Sequence, residues 1–159
     1  MTDTLPATDE RLAEAIDTFN PQRLLLITDH PPALPQTRLD HWAYTGQQAS
    51  DAIDALPSVD LAIIDGDAGF PSAAAAIQLV GRLRDVTATR TLVIASSART
   101  GALPRAELIG LGLHRWQDSR DPDRRRRWFH FALQDYKTTP DWLNARHWAN
   151  PELWDKFRW

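Results

Sequence analysis

Hydrophobic residues along this chain recur in two patterns, short unbroken apolar runs and stripes at helical spacing, and the two alternate. Arg23–Asp29 (RLLLITD), Asp60–Asp65 (DLAIID) and Arg90–Ser96 (RTLVIAS) are continuous apolar runs, the pattern of strands covered on both faces. Leu39–Tyr44 is a shorter candidate strand. Between them lie stripes with i, i+3, i+4 and i+7 spacing. Leu12, Ala15, Ile16 and Phe19 form one after Thr8, a candidate cap, and Asn20-Pro21 ends it. Ala49, Ala52, Ile53 and Leu56 form a second, within Gln47–Leu56. Ala73, Ala76, Ile77, Val80 and Leu83 form a third, with Ser72 as its cap and Asp85 as its end. Pro104 opens a further helix that runs to Leu111, and Gly112 stops it.

Strands that alternate with helices of this length predict right-handed βαβ units and a parallel sheet. The pattern then changes. Leu113–Gln117 and Trp128–Tyr136 read as two strands around a polar loop, Asp118–Arg127, and make the end of the sheet antiparallel. In the second, Phe129, Phe131 and Leu133 alternate with His130, Ala132 and Gln134, predicting one drier face. Two short helices at Thr139-Pro140 and Asn150-Pro151 close the chain. The expected fold is α/β, a three-layer Rossmann-like sandwich with a mostly parallel sheet, an antiparallel C-terminal hairpin and a Trp-rich helical tail. Residues 1–159 are read as one domain: an N-terminal helix (1–20), a Rossmann-like core (21–136) and the tail (137–159).

Composition narrows the chemistry. A chain of 159 residues, 43% hydrophobic and 25% charged, is an ordinary globular one that buries roughly 70% of its unfolded surface. The absence of cysteine removes disulfides, thiolate catalysis and cysteine-bound metals, and fits a reducing compartment. No segment reaches the ~20 apolar residues of a membrane span, and the acidic start is unlike a signal peptide. A cytoplasmic protein is expected. Charge is uneven: residues 1–123 carry 10 basic and 17 acidic side chains, residues 124–159 carry 8 and 4. The basic end also holds five of the seven tryptophans, which makes it the region least like a plain scaffold.

The order of elements resembles the class I methyltransferase fold. The resemblance rests on a helix and strand, Ala73–Ser96, on a helix that ends at Leu111-Gly112, and on the closing hairpin at 113–136. It implies a cleft for S-adenosylmethionine, with a glycine-rich loop after the first strand and an acidic residue after the second. The chain has Thr28-Asp29-His30-Pro31-Pro32 and Tyr44-Thr45-Gly46 at those places, so S-adenosylmethionine binding is not expected. The tail, Tyr136-Lys137-Thr138-Thr139-Pro140-Asp141-Trp142-Leu143-Asn144 with Trp154-Asp155-Lys156-Phe157-Arg158-Trp159, is similar to that of an uncharacterised bacterial family. A response-regulator receiver is a third resemblance. It implies Asp29 as the metal-binding acid, Asp65 as the phosphorylated aspartate and Ser96 as the switch hydroxyl, but the paired acids and the lysine of receivers are missing.

Ligands of parallel α/β sheets bind beyond the C-terminal strand ends. Those ends carry Asp29 and His30, Asp65 and Asp67, and Ser96 and Ser97, the candidate ligand-binding residues. Such residues hold a divalent cation or act as a general base, or they simply cap helices and form turns. No spacing of metal ligands is present, and no metal is expected. Ser96 lacks a Gly-x-Ser-x-Gly setting, and His114 and His130 read as structural imidazoles. Arg124, Arg125, Arg126, Arg127, Trp128, Arg146 and Arg158 form a candidate surface for a partner or for phosphates and unstacked bases, against which the net charge of −3 weighs. Trp142, Trp154 and Phe157 are expected to pack on the domain, with a partner-binding arm as the alternative. The leading expectation is a non-catalytic, methyltransferase-like module that binds a protein or small ligand. An S-adenosylmethionine-dependent transferase with an atypical loop comes second, a nucleic-acid-associated protein third.

Overall fold

The structure, a computed structural model, describes residues 7–34, 39–116 and 127–136. Arg124, Arg125, Arg126, Arg146, Arg158 and the whole Trp-rich tail therefore lie outside the described residues. The elements in chain order are α1 (Ala7–Phe19), β1 (Arg23–Ile27), β2 (Asp40–Tyr44), α2 (Gly46–Asp51), β3 (Val59–Asp65), α3 (Ala73–Arg82), β4 (Ala88–Ile94), α4 (Arg105–Gly110), β5 (His114–Arg115), β6 (Trp128–Ala132) and the helical turn α5 (Leu133–Tyr136). A 3₁₀ turn at Ile53–Ala55 follows α2, and a π-helical turn at Leu83–Thr87 follows α3.

The six strands form one sheet in the order β2-β1-β3-β4-β6-β5. The first four are parallel, while β6 runs antiparallel to both β4 and β5. This is the Rossmann-like, mostly parallel arrangement expected, with β1, β3 and β4 inside it. The longer antiparallel strand is not the edge, however: β6 sits between β4 and the two-residue β5.

Side-chain alternation divides the core into two layers. Leu25, Ile27, Ala62, Ile64, Val93 and Phe129 face α2, α3 and α4, which contribute Ala49, Ala76, Leu79, Val80 and Leu108. Leu24, Leu26, Leu61, Ile63, Leu92, Ile94 and Trp128 face α1, which contributes Leu12 and Ala15. Covering both faces explains why these strands read as unbroken apolar runs rather than alternating ones. It also changes the expectation of a drier and a wetter face for β6. Trp128 and Ala132 are buried opposite buried Phe129, so both faces are dry.

Helix ends follow the sequence signals closely. The Ser72 hydroxyl accepts the Ala75 N–H at 3.0 Å, as an N-cap should. Asn20 adopts φ 41° and its N–H donates to Ile16 O at 2.8 Å, ending α1 in a conformation that asparagine tolerates. Gly112, at φ 82°, ends α4: its N–H donates to Ile109 O and that of Leu113 to Leu108 O, the Schellman pairing.

Four expectations change. Helix α1 begins at Ala7, so Thr8 lies inside its first turn rather than before it. Strand β1 ends at Ile27, which leaves Thr28 and Asp29 in the following loop. The buried stripe of α3 is Ala76, Leu79 and Val80, continued by Leu83 of the π turn, and Ala73 is exposed. Strand β6 ends at Ala132 and residues 133–136 turn helically; Leu133 and Gln134 are exposed, and over four residues alternation does not separate a strand from one helical turn. No helix among the described residues is long and apolar enough to cross a membrane.

Candidate functional site

Strand β2 lies on one side of β1 and β3 on the other. The strand order therefore reverses between β1 and β3, and a ligand crevice is expected beyond their C-terminal ends. The loop after β1 carries Asp29 and His30, and the loop after β3 begins at Asp65 and carries Asp67. The fold brings these residues, with Ser96 and Ser97 after β4, to one end of the sheet.

Their hydrogen bonds tie the loops to one another. The Asp29 carboxylate accepts the Gly69 N–H at 2.7 Å and the Gly46 N–H at 3.3 Å, so one side chain joins the loops after β1 and β3 to the start of α2. The loop after β3 leans closely on α2 here. A Cβ placed on Gly46 would lie 2.9 Å from the Gly69 carbonyl, closer than any side chain tolerates. Phe70, next along, packs partly buried on the core. The crevice at the reversal point is thus bridged by protein.

Asp65 accepts the Asp67 N–H at 2.9 Å on one oxygen and meets the Thr28 hydroxyl at 3.5 Å with the other. Asp67 accepts the Ser97 N–H at 2.9 Å, linking the loops after β3 and β4. Buried Ser96 donates its hydroxyl to Gly66 O at 2.8 Å and accepts the Leu103 N–H at 2.9 Å. Gly66 must be glycine, since a Cβ there would come within 2.4 Å of Ile94 O. His30 is exposed, with its N–H on the Thr28 hydroxyl at 3.2 Å. At the end of β2, Thr45 accepts the Gln48 N–H and Gln48 accepts the Thr45 N–H, a capping box. Among the described residues no group of three or more His, Asp or Glu is placed to hold a metal ion.

Of the candidate basic and aromatic surface, Arg127 and Trp128 are described. Trp128 is 2% exposed, and its ring centroid lies 5.6 Å from that of Trp116, which is 5.7 Å from that of Phe19. It is a core side chain, and the exposed face expected of it for base stacking is not there. Arg127 immediately precedes β6, and its carbonyl accepts the Ala95 N–H.

Arg127 also lines a cleft that sequence reasoning missed. The cleft has a volume of about 940 Å³, lies beyond the end of β4 and is walled by the 95–100 loop and the start of α4. Arg99 and Arg105 line it with Arg127, together with Ser97 and Thr100, and among the described residues no acidic one does. The loop folds back tightly, as a Cβ on Gly101 would fall 2.3 Å from that of Ser96. A signal was available: Arg99 and Arg105 both fall in the segment after a strand, where ligand-binding loops lie.

No curated protein and no solved structure matches the chain. A family model described only as a family of unknown function, DUF6231, matches residues 6–159, and the chain belongs to that family.

Proposed function

We propose that this protein is a methyltransferase-like Rossmann module that acts by binding a protein or small ligand rather than by catalysis. The antiparallel strands that close the sheet support the likeness. The observation that carries the functional part is the Asp29 latch. In the cofactor-binding relatives that the topology resembles, the loop after the first strand must let a ligand approach the backbone. Here the loop has Pro31 and Pro32, which lack N–H donors, and its acid is committed to Gly69 and Gly46. The capping box at Thr45 occupies the place where a ribose-binding acid would stand.

A melting experiment tests this, because any ligand selective for the folded state raises the melting temperature. S-adenosylmethionine at about a hundred times a micromolar Kd would stabilise by ~2.7 kcal/mol. The expected result is an unchanged melting temperature. A rise that calorimetry traces to a one-to-one complex would replace this proposal with the transferase reading.

A further inference from the structure

The two ends of the sheet are finished differently. At one end β5 is two residues long, and a very short strand is one of the ways in which proteins blunt a sheet edge. At the other end β2 runs five residues in unbroken register with β1. Its sequence, DHWAY, has no lysine, proline or glycine to blunt it. The Asp40 N–H donates to Gln22 O at 3.0 Å, and Tyr44 O accepts the Thr28 N–H at 3.0 Å. The backbone groups of Asp40, Trp42 and Tyr44 therefore turn towards β1, and alternation along the strand points those of His41 and Ala43 outward. Among the described residues neither outward pair of groups has a partner, and both side chains are exposed. A groove of about 560 Å³, lined by Trp42, Ala43, Tyr44, Gln48 and Asp51, opens along the same edge.

We propose that β2 pairs antiparallel with the β2 of a second copy of this chain, about a two-fold axis at Trp42, so that one sheet continues through a dimer. An axis at Trp42 is the register that uses both outward residues. His41 then lies opposite Ala43 of the second copy and Ala43 opposite its His41, and each such pair exchanges both of its N–H···O bonds. An axis at His41 or at Ala43 would leave one of the two facing a residue outside the strand. The side chains fit the same register. Small Ala43 leaves room for the imidazole across the joint, and Trp42 meets its own copy at the closer, non-hydrogen-bonded position, where an aromatic pair stabilises a sheet. Charge fits as well: Asp40, the acid of the strand, faces Tyr44 of the second copy, so no like charges stand directly opposed. The pairing also closes on itself. Each β2 edge is consumed by the other and the outer ends are both the short β5, so assembly stops at two copies. The inference does not depend on what the crevice between β1 and β3 binds.

Sedimentation equilibrium of the full chain, from micromolar to several hundred micromolar, should show a reversible monomer–dimer equilibrium. Over the same range the amides of His41 and Ala43 should exchange more slowly at the concentrated end than at the dilute end. Ala43→Pro removes one donor from each hydrogen-bonded pair, at a position where an edge strand accepts proline. It should raise the dimer Kd by about tenfold or more. Ala43→Lys alters an exposed side chain, so the fold is kept, and it sets two like charges at diagonal positions across the joint. It should raise the Kd several-fold, most at low ionic strength. Ala106→Lys, at an exposed position on α4, should leave the Kd unchanged. If circular dichroism of the dilute protein shows that Ala43→Pro does not fold, Ala43→Lys and the amide exchange decide. A monomer throughout the series would overturn the proposal. So would a dimer that Ala43→Lys leaves intact, protection confined to amides outside β2, or growth past two copies.

Discussion

Ser96 is where the latch account and a chemical role for the strand ends make opposite predictions. Its hydroxyl is buried and bonded twice, to the Gly66 carbonyl at 2.8 Å and the Leu103 N–H at 2.9 Å. Ser96→Ala removes one oxygen, creates little cavity and leaves both backbone groups without that partner. Each buried polar group left unsatisfied costs about 1–3 kcal/mol. The backbone bond from Ser96 N–H to Leu103 O at 3.0 Å survives and limits how far the loop can relax towards water. The expected loss is about 2–4 kcal/mol, a large share of the ~5–15 kcal/mol that holds a typical domain together. At ~2–4 °C per kcal/mol for a chain of this size, the melting temperature should fall by roughly 5–15 °C. Ser97→Ala is the internal control. That side chain is exposed and its backbone N–H, not its hydroxyl, meets Asp67, so it should melt within about 1–2 °C of wild type. Urea unfolding followed by tryptophan fluorescence checks both. A Ser96→Ala variant that melts like wild type would refute the claim that this hydroxyl is a structural tie.

Three further outcomes follow from the same geometry. Asp29→Ala should lower stability by about 1–3 kcal/mol, and hydrogen exchange at the Gly69 amide should quicken more than at amides within β1. Trp128→Ala removes a ring packed on Trp116 and should cost about 3–5 kcal/mol; an unchanged denaturation midpoint would contradict its place in the core. Asp85 is held below the usual carboxylate range by its hydrogen bond with Arg84. Its contribution is thus present above the unfolded pKa and lost as pH falls through the lower folded one, so Asp85→Asn should make acid unfolding slightly less steep below about pH 4; the group is exposed, so solvent screening keeps this small.

The strands were legible because burial on both faces writes itself as unbroken apolar runs, and RLLLI, DLAIID and RTLVI became β1, β3 and β4 within two residues. Caps were legible because a cap is local. Ser72 and Gly112 do what a hydroxyl before a helix and a glycine after one do. The 3₁₀ and π turns that follow α2 and α3 were not, because a helix and its looser or tighter end share one spacing over five residues. The site was legible only as a location. Asp29 lies 17 residues from Gly46 and 40 from Gly69, and nothing local tells an acid that will hold a metal from one that will hold two backbone amides. The Arg99–Arg105–Arg127 grouping was hidden for the same reason, since Arg127 reaches the other two only when β6 inserts beside β4.

The central claim is that the crevice between β1 and β3 is closed by its own loops, and an amide-resolved NMR titration with S-adenosylmethionine tests it at the atoms involved. The account predicts that the amides of Gly46, Gly66 and Gly69 keep their positions up to millimolar ligand. Saturable shifts at those three glycines, with Asp29 released from Gly69, would contradict it.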